Sequence, residues 1–166
     1  VTDSGRSIES ELSFDPAAPQ NLSVKILVNF FGCDSANESR DSNMLDTVEA
    51  YITPYAGWSS EKVVVVSDRQ DGEQRTLELD VAGPFSVRGQ AVPLSTRVTV
   101  TIKGDRARVV TTFDSHLKDH GIKPPSLLGI KVADTVPVRV DLSFRLDGPG
   151  LMPAAEALPA QQPASM

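Results

Sequence analysis

The residues with the clearest potential for chemistry are the two histidines, His116 and His120. On a helix this i, i+4 spacing would place both rings on one face, where two imidazoles can share a metal ion. Asp114 and Asp119 lie nearby, but Gly121 ends any helix early. The sequence offers no identifiable third ligand, so solvated loop histidines are the favoured interpretation and we predict no metal site.

Other catalytic motifs are missing from the sequence. Residues 83–86 do not meet the G-x-S-x-G pattern of a nucleophile elbow, and no glycine-rich phosphate loop is present. Arg40 and Asp41 could form a functional ion pair, but a helix N-terminus with a surface salt bridge is the favoured interpretation. We therefore predict a protein that is not an enzyme and uses no cofactor, and keep a hydrolase or metalloenzyme as the third-ranked alternative.

Composition narrows the classes of partner. The chain has 166 residues, a formal net charge of −6 and a pI near 4.9, and its basic residues are scattered rather than gathered in a stripe. This pattern excludes nucleic acid as the expected partner. Cys33 is the single cysteine and cannot form an internal disulfide. No apolar run reaches the roughly 18 to 20 residues of a transmembrane segment.

Large apolar residues alternate with polar ones along several stretches, which is the pattern of half-buried antiparallel strands. In the longest stretch Leu94, Val98, Val100 and Ile102 share one face, and a glycine-punctuated turn beginning at Gly83 precedes it. Turns are expected at 68–72 and 104–105, and three- and four-residue apolar spacing predicts a short helix over 44–52. The predicted strands cover residues 8–14, 24–30, 63–66, 77–81, 92–103, 106–113 and 136–144.

These elements predict an all-β fold, an antiparallel β-barrel with a short helical insertion, and a β-sandwich is the structural alternative. The barrel domain covers residues 1–147. Residues 148–166 are rich in proline and alanine and poor in large apolar side chains, so we expect a disordered tail.

Four pieces of the chain, in the right order, carry a family resemblance. Residues 10–16 (SELSFDP) are similar to an early strand and its Asp-Pro turn, and residues 39–41 (SRD) open the helical insertion. Residues 83–94 (GPFSVRGQAVPL) resemble the central signature, and residues 121–142 the closing element. Together they resemble the YceI-like family of lipid-binding, lipocalin-like β-barrels. The chain departs from that family in lacking its N-terminal strand pair and in reading KDHG at 118–121, where an Arg-x-x-aromatic-Gly motif is usual.

The resemblance implies a periplasmic or secreted bacterial protein that holds a polyisoprenoid or fatty lipid, for storage, transport or stress response in the bacterial envelope. It leaves a homodimer open. A barrel of about eight strands can either fill with side chains or hold one slender ligand, so a filled-core β-sandwich interaction module without a small ligand stays the alternative. The predicted lipid contacts are Ile26, Val28, Phe30, Val98, Val100, Ile102, Val109, Phe113, Val138, Val140 and Leu142, with Leu45, Tyr51 and Trp58 at the mouth.

Overall fold

The computed structural model describes residues 2–3, 8–123, 126–127, 130–131, 134–146 and 158–159. Helix α1 spans Glu38–Thr47, and short 3-10 turns lie at Pro19–Asn21, Phe30–Gly32 and Leu117–His120. The strands are β1 (Thr2–Asp3), β2 (Ile8–Ser13), β3 (Ser23–Asn29), β4 (Cys33–Asp34), β5 (Tyr55–Ser59), β6 (Lys62–Asp71), β7 (Gln74–Val87), β8 (Gln90–Lys103), β9 (Arg106–His116), β10 (Ser126–Leu127), β11 (Ile130–Lys131), β12 (Thr135–Arg145) and β13 (Leu158–Pro159).

One antiparallel sheet dominates the described part of the chain. Its strand order is β12-β9-β8-β7-β5-β3-β2-β13, and β6 branches from β7. Strand β13, paired with β2 at one end, also contacts β12 at the other. The sheet therefore curls on itself, which confirms the barrel-like all-β prediction and disfavours a sandwich of two sheets. Apart from β13, the predicted tail lies outside the described residues.

Alternation along the strands sets the inner face, as predicted. On β8, Val98, Val100 and Ile102 are buried, while Arg97 and Lys103 are exposed. The pairing register extends this face across the sheet because directly opposed residues point to the same side. Each inward residue of one strand therefore meets inward residues of both neighbours, and the apolar face is continuous.

The prediction of a turn beginning at Gly83 is wrong. Gly83 lies inside β7, and the chain reverses at Arg88 and Gly89, whose positive φ values of 56° and 73° suit a two-residue hairpin loop. At Gly83 the main chain passes the Ser59 carbonyl so closely that an added Cβ would lie 1.7 Å from its oxygen. The glycine is needed for this close approach and not for a reversal of the chain.

Two other boundaries were misplaced by sequence reasoning. Helix α1 begins at Glu38, because the Asn37 side chain accepts a hydrogen bond from the Arg40 N–H. It ends before Glu49, whose φ of 51° leaves the helical region. The turn predicted over 68–72 lies after Asp71, because β6 and β7 stay paired through their polar ends.

Two apolar clusters stabilise the fold. The main core fills the curled sheet and joins residues from nearly all its strands. A second cluster packs the segment after α1 and the 3-10 turn at Leu117–His120 against one end of the sheet. The helical insertion therefore covers that end. The buried members of the second cluster are Val48, Ala50, Ala56, Val87 and Ile122.

Candidate functional site: the inner face of the sheet

The deep part of the inner face is packed. Val98, Val100 and Val109 are no more than 1% exposed, and the same holds for Leu142. A side chain with so little accessible surface borders no space large enough for a water molecule. These four predicted lipid contacts form the centre of the main core, and Ile26, Ile102 and Val140 lie in the same cluster.

The inner face is less completely buried where β9 and β12 run side by side. Phe113 and Val138 are directly opposed and only partly buried. A shallow depression of about 290 Å³ lies at this point of the two strands. Four of its six lining residues, Thr112, Asp114, Pro137 and Arg139, alternate with Phe113 and Val138 and therefore belong to the outer face. The depression is smaller than typical small-molecule sites, roughly 300 to 1,000 Å³, and what the inner face shows here is two predicted lipid contacts that are only partly buried.

An aromatic group lies next to Phe113. The Phe85 ring packs edge-on against Phe113, with centroids 5.3 Å apart, and against His120 at 5.2 Å. Phe85 and His120 were missed as site residues. The sequence held a signal for His120, because this residue stands where the family's Arg-x-x-aromatic-Gly motif has an aromatic residue.

The two histidines do not share a face. His120 is 2% exposed and its Nδ1 lies 3.0 Å from the Gln90 carbonyl oxygen, to which it donates. His116 is exposed at the end of β9, with Nδ1 3.2 Å from the Thr135 hydroxyl. The helix that would have brought them together is a single 3-10 turn. Among the described residues no group of three potential metal ligands is found.

The predicted mouth residues lie apart. Trp58 is buried in the main core, whereas Leu45 is half-buried in the second cluster. Tyr51 is 69% exposed and packs edge-on against Phe31. Val28 contacts both clusters and Phe30 the second, so these two predicted contacts lie under the helical insertion.

Most buried polar side chains on the inner face have partners. The hydroxyl oxygens of Thr96 and Thr111 lie 2.9 Å apart, and Thr111 also donates to the Arg97 carbonyl at 2.8 Å. Ser10 and Trp58 differ, since the Ser10 hydroxyl and the Trp58 indole N–H are buried without a hydrogen-bond partner. Ser10 was missed, although it shares its face of β2 with Ile8 and Leu12.

The comparisons with known proteins agree with this geometry. The YceI-like domain family matches residues 1–144. No curated protein sequence matches the chain. No helix in the described part of the chain has the length and apolar character required to cross a membrane.

Three solved structures share the fold. BcnA of Burkholderia cenocepacia has 18% identity and a TM-score of 0.67, over 82% of both chains. The YceI protein of Campylobacter jejuni has 12% identity and a TM-score of 0.68, over 89% of this chain and 86% of that one. A polyisoprenoid binding domain from Saccharophagus degradans, implicated in plant cell wall breakdown, has 13% identity and a TM-score of 0.61, over 88% and 98%.

A curled antiparallel sheet with an apolar inner face and one helix across its end defines a lipocalin-like protein. Given the family match over residues 1–144, the chain belongs to the YceI-like family.

Proposed function

We propose that this protein binds a long-chain amphiphile, a polyisoprenoid or fatty lipid, inside its curled sheet, and that it is a binding protein rather than an enzyme. The observation that carries the proposal is the continuous apolar inner face of the curled sheet, which is only partly buried at Phe113 and Val138. Burying an alkyl chain stabilises a complex by about 0.8 kcal/mol per methylene. About ten buried carbons could therefore offset the cost of association with few polar contacts.

Family membership supports this ligand class and a place in the bacterial envelope. The proposed location is periplasmic or secreted, and the proposed role is storage, transport or a stress response. No cofactor is required, because the ligand is held by enclosure. The possible homodimer stays a prediction that light scattering can test.

One observation favours a second candidate. The deep inner face is already filled, with Val98 and Leu142 at 0 and 1% exposure. A filled core suits an interaction module that takes no small ligand. The lipid contacts placed in this layer stay predictions, since a bound chain would have to displace packed neighbours there.

Native mass spectrometry of the protein purified from bacteria separates the two candidates. Under the proposal the native mass exceeds the denatured mass by roughly the several hundred daltons of one lipid, and organic extraction yields prenyl or acyl fragments. A native mass equal to the denatured mass, unchanged after incubation with prenyl and acyl lipids, favours the interaction module.

A matched pair of variants locates the ligand. Val138→Trp adds a large side chain beside Phe113, where the inner face is only partly buried, and should lower the loaded fraction at least tenfold. Val64→Trp is the control, because Val64 is an exposed valine on β6 between the core-packed Val63 and Val65. Equal loading of both variants would place the ligand elsewhere.

A further inference from the structure

Most of the large apolar side chains that the described part of the chain leaves exposed belong to one region. Tyr51 and Ile52 are 69 and 78% exposed, and Phe31 and Tyr55 are 49 and 44% exposed. All four lie in residues 30–55, the helical insertion and the start of β5. The others are valines on β6 and β12. Leaving large apolar side chains in water is unfavourable, so their concentration in one region points to a function at this surface.

Three of these side chains, Phe31, Tyr51 and Ile52, form a surface that we call the aromatic patch. The rings of Phe31 and Tyr51 pack edge-on with centroids 5.3 Å apart, and Ile52 directly follows Tyr51. Tyr55 lies in the adjoining segment, because it is directly opposite Asn29 at the end of β3. The patch exposes roughly 400 Å², taking about 200 Å² for a whole side chain. This area is within the roughly 300 to 600 Å² of the largest, often functional, patch on a monomer.

The region that carries the patch is acidic. Residues 30–55 contain five acidic residues and one basic residue, a net charge of −4. Asp46 and Glu49 lie in the turns that lead to Tyr51, and Asp34 follows shortly after Phe31. Glu49 pairs with Arg88 at 2.7 Å.

Two properties of this surface attract a cation. Asp34, Glu38 and Asp46 are exposed, and no lysine or arginine in the described part of the chain forms a salt bridge with them. The faces of the Phe31 and Tyr51 rings are also electronegative, and they attract ammonium and guanidinium groups. The carboxylates and the rings therefore favour the same sign of charge in a partner.

Other occupants fit this surface less well. A stable dimer buries about 800 Å² on each partner, about twice the area of the patch, and two copies would bring their acidic insertions together. Helices and anchors that bind anionic membranes combine apolar side chains with lysine and arginine, whereas the charge here is of the opposite sign. A short cationic segment meets neither obstacle.

We infer that the aromatic patch docks a basic segment of a partner protein, in which lysine or arginine lies next to an apolar residue. The apolar residue packs on Tyr51 and Ile52, where tyrosine is among the residues that contribute most to protein interfaces. The basic residues face the rings and the acidic side chains around them. This interaction goes beyond the proposed function, because it holds whether or not the inner face takes up a lipid.

Selection from random short peptides displayed on phage tests the inference. The peptides are selected on the wild-type protein and counter-selected on Tyr51→Ser/Ile52→Ser. Both side chains are largely exposed, so this variant should keep the thermal unfolding midpoint of the wild type. We expect the retained peptides to carry a net positive charge and at least one large apolar residue.

Fluorescence anisotropy with one selected peptide then measures affinity. Tyr51→Ser/Ile52→Ser should weaken binding at least tenfold. Asp46→Lys should weaken it about threefold and reduce its dependence on salt, and a lysine suits the last turn of α1. Val64→Ser/Val66→Ser is the matched control, since it removes two exposed apolar side chains from β6, and should bind like wild type.

Several results would overturn the inference. One is a selection that yields neutral or acidic peptides, or no peptide that needs the patch. Another is binding to phosphatidylglycerol vesicles that Tyr51→Ser/Ile52→Ser abolishes, which would assign the patch to a membrane. A dimer that light scattering detects in the wild type and not in this variant would assign it to a second copy. The proposed function is tested separately, by the native mass of the wild-type protein without peptide.

Discussion

At the scale of single residues, two cross-strand ion pairs lie on the outer face. Arg97 pairs with Asp80 on the neighbouring strand, and Arg108 pairs with Asp141. Hydrogen bonds from Arg108 hold the pKa of the Asp141 carboxyl below its usual 3.8, and bonds from Arg75 do the same for Asp68. Each of these carboxyl groups thus favours its ionised form more strongly in the folded protein than in the unfolded chain.

This coupling predicts a loss of stability in acid. A depressed folded-state pKa contributes stability that is complete above the unfolded value of 3.8 and is lost as the pH falls through the lower folded value. Asp141→Asn should lower the free energy of unfolding at neutral pH by about 0.5 kcal/mol, since Arg108 is largely exposed. It should also flatten the decline below about pH 4.

Urea unfolding of this variant at several pH values checks the prediction. Asp71→Asn is the control, an exposed carboxylate at the end of β6, and should behave like wild type. Parallel pH profiles for Asp141→Asn and the wild type would contradict the role given to this ion pair.

At the scale of elements, β7 organises the sheet. Its first part pairs with β6 up to Ala82 opposite Lys62, and its last part pairs with β5 at Phe85 opposite Trp58. The change of neighbour falls at Gly83, where the Ser59 carbonyl approaches the main chain. This branch brings Trp58 and Phe85 into one row of the inner face.

Gly83→Ala should therefore destabilise the protein by about 3 kcal/mol or more, because the new methyl group collides with backbone rather than with a movable side chain. Gly57→Ala is the matched control on β5, where the nearest atom to an added Cβ is the Leu27 Cδ1 at 3.4 Å. Chemical denaturation of both variants measures the difference. Equal losses of stability in the two variants would show that the main chain at Gly83 can move away from the Ser59 carbonyl at little energetic cost.

The helical insertion packs against the sheet although its predicted boundaries were wrong. Its apolar spacing over 44–52 predicted a helix, but Val48 caps α1, and Ala50 follows in a turn. Both residues still pack against the end of the sheet with Val87. This contact requires only that the apolar side chains reach the sheet. Several backbone conformations, helical or not, meet that requirement.

At the scale of the whole molecule, the curl of the sheet is completed by a distant strand. Leu158 and Pro159 pair with Leu12 and Glu11 of β2, and β13 also contacts β12. Without β13, the free edge of β2 would lie beside the buried Leu12. The enclosure of the inner face therefore includes a segment far from the core strands in sequence.

A chain ending at residue 147 should lose about 1 kcal/mol of stability, in line with the loss of one or two hydrogen bonds. It should also release a bound amphiphile faster. A chain ending at residue 160, which keeps β13, is the control. Thermal unfolding and probe dissociation rates measure both effects. Identical values for the two truncated chains would show that β13 contributes neither to stability nor to ligand retention.

The sequence by itself determined the fold class and which side chains face inward. Strand alternation has a period of two residues and is a local property, so β8, β9 and β12 were predicted nearly to their ends. The inward positions of Val98, Val109 and Val140 followed from the same alternation. The family resemblance carried the proposed ligand class.

Only the tertiary structure decided how the inner face is used. Whether Val100 lines a lumen or fills a core depends on residues from other strands, among them its opposed neighbours Leu77 and Val109. The unpaired state of Ser10 and Trp58 likewise follows from pairing across β2, β3 and β5. Long-range pairing sets these contacts, and no local pattern encodes it.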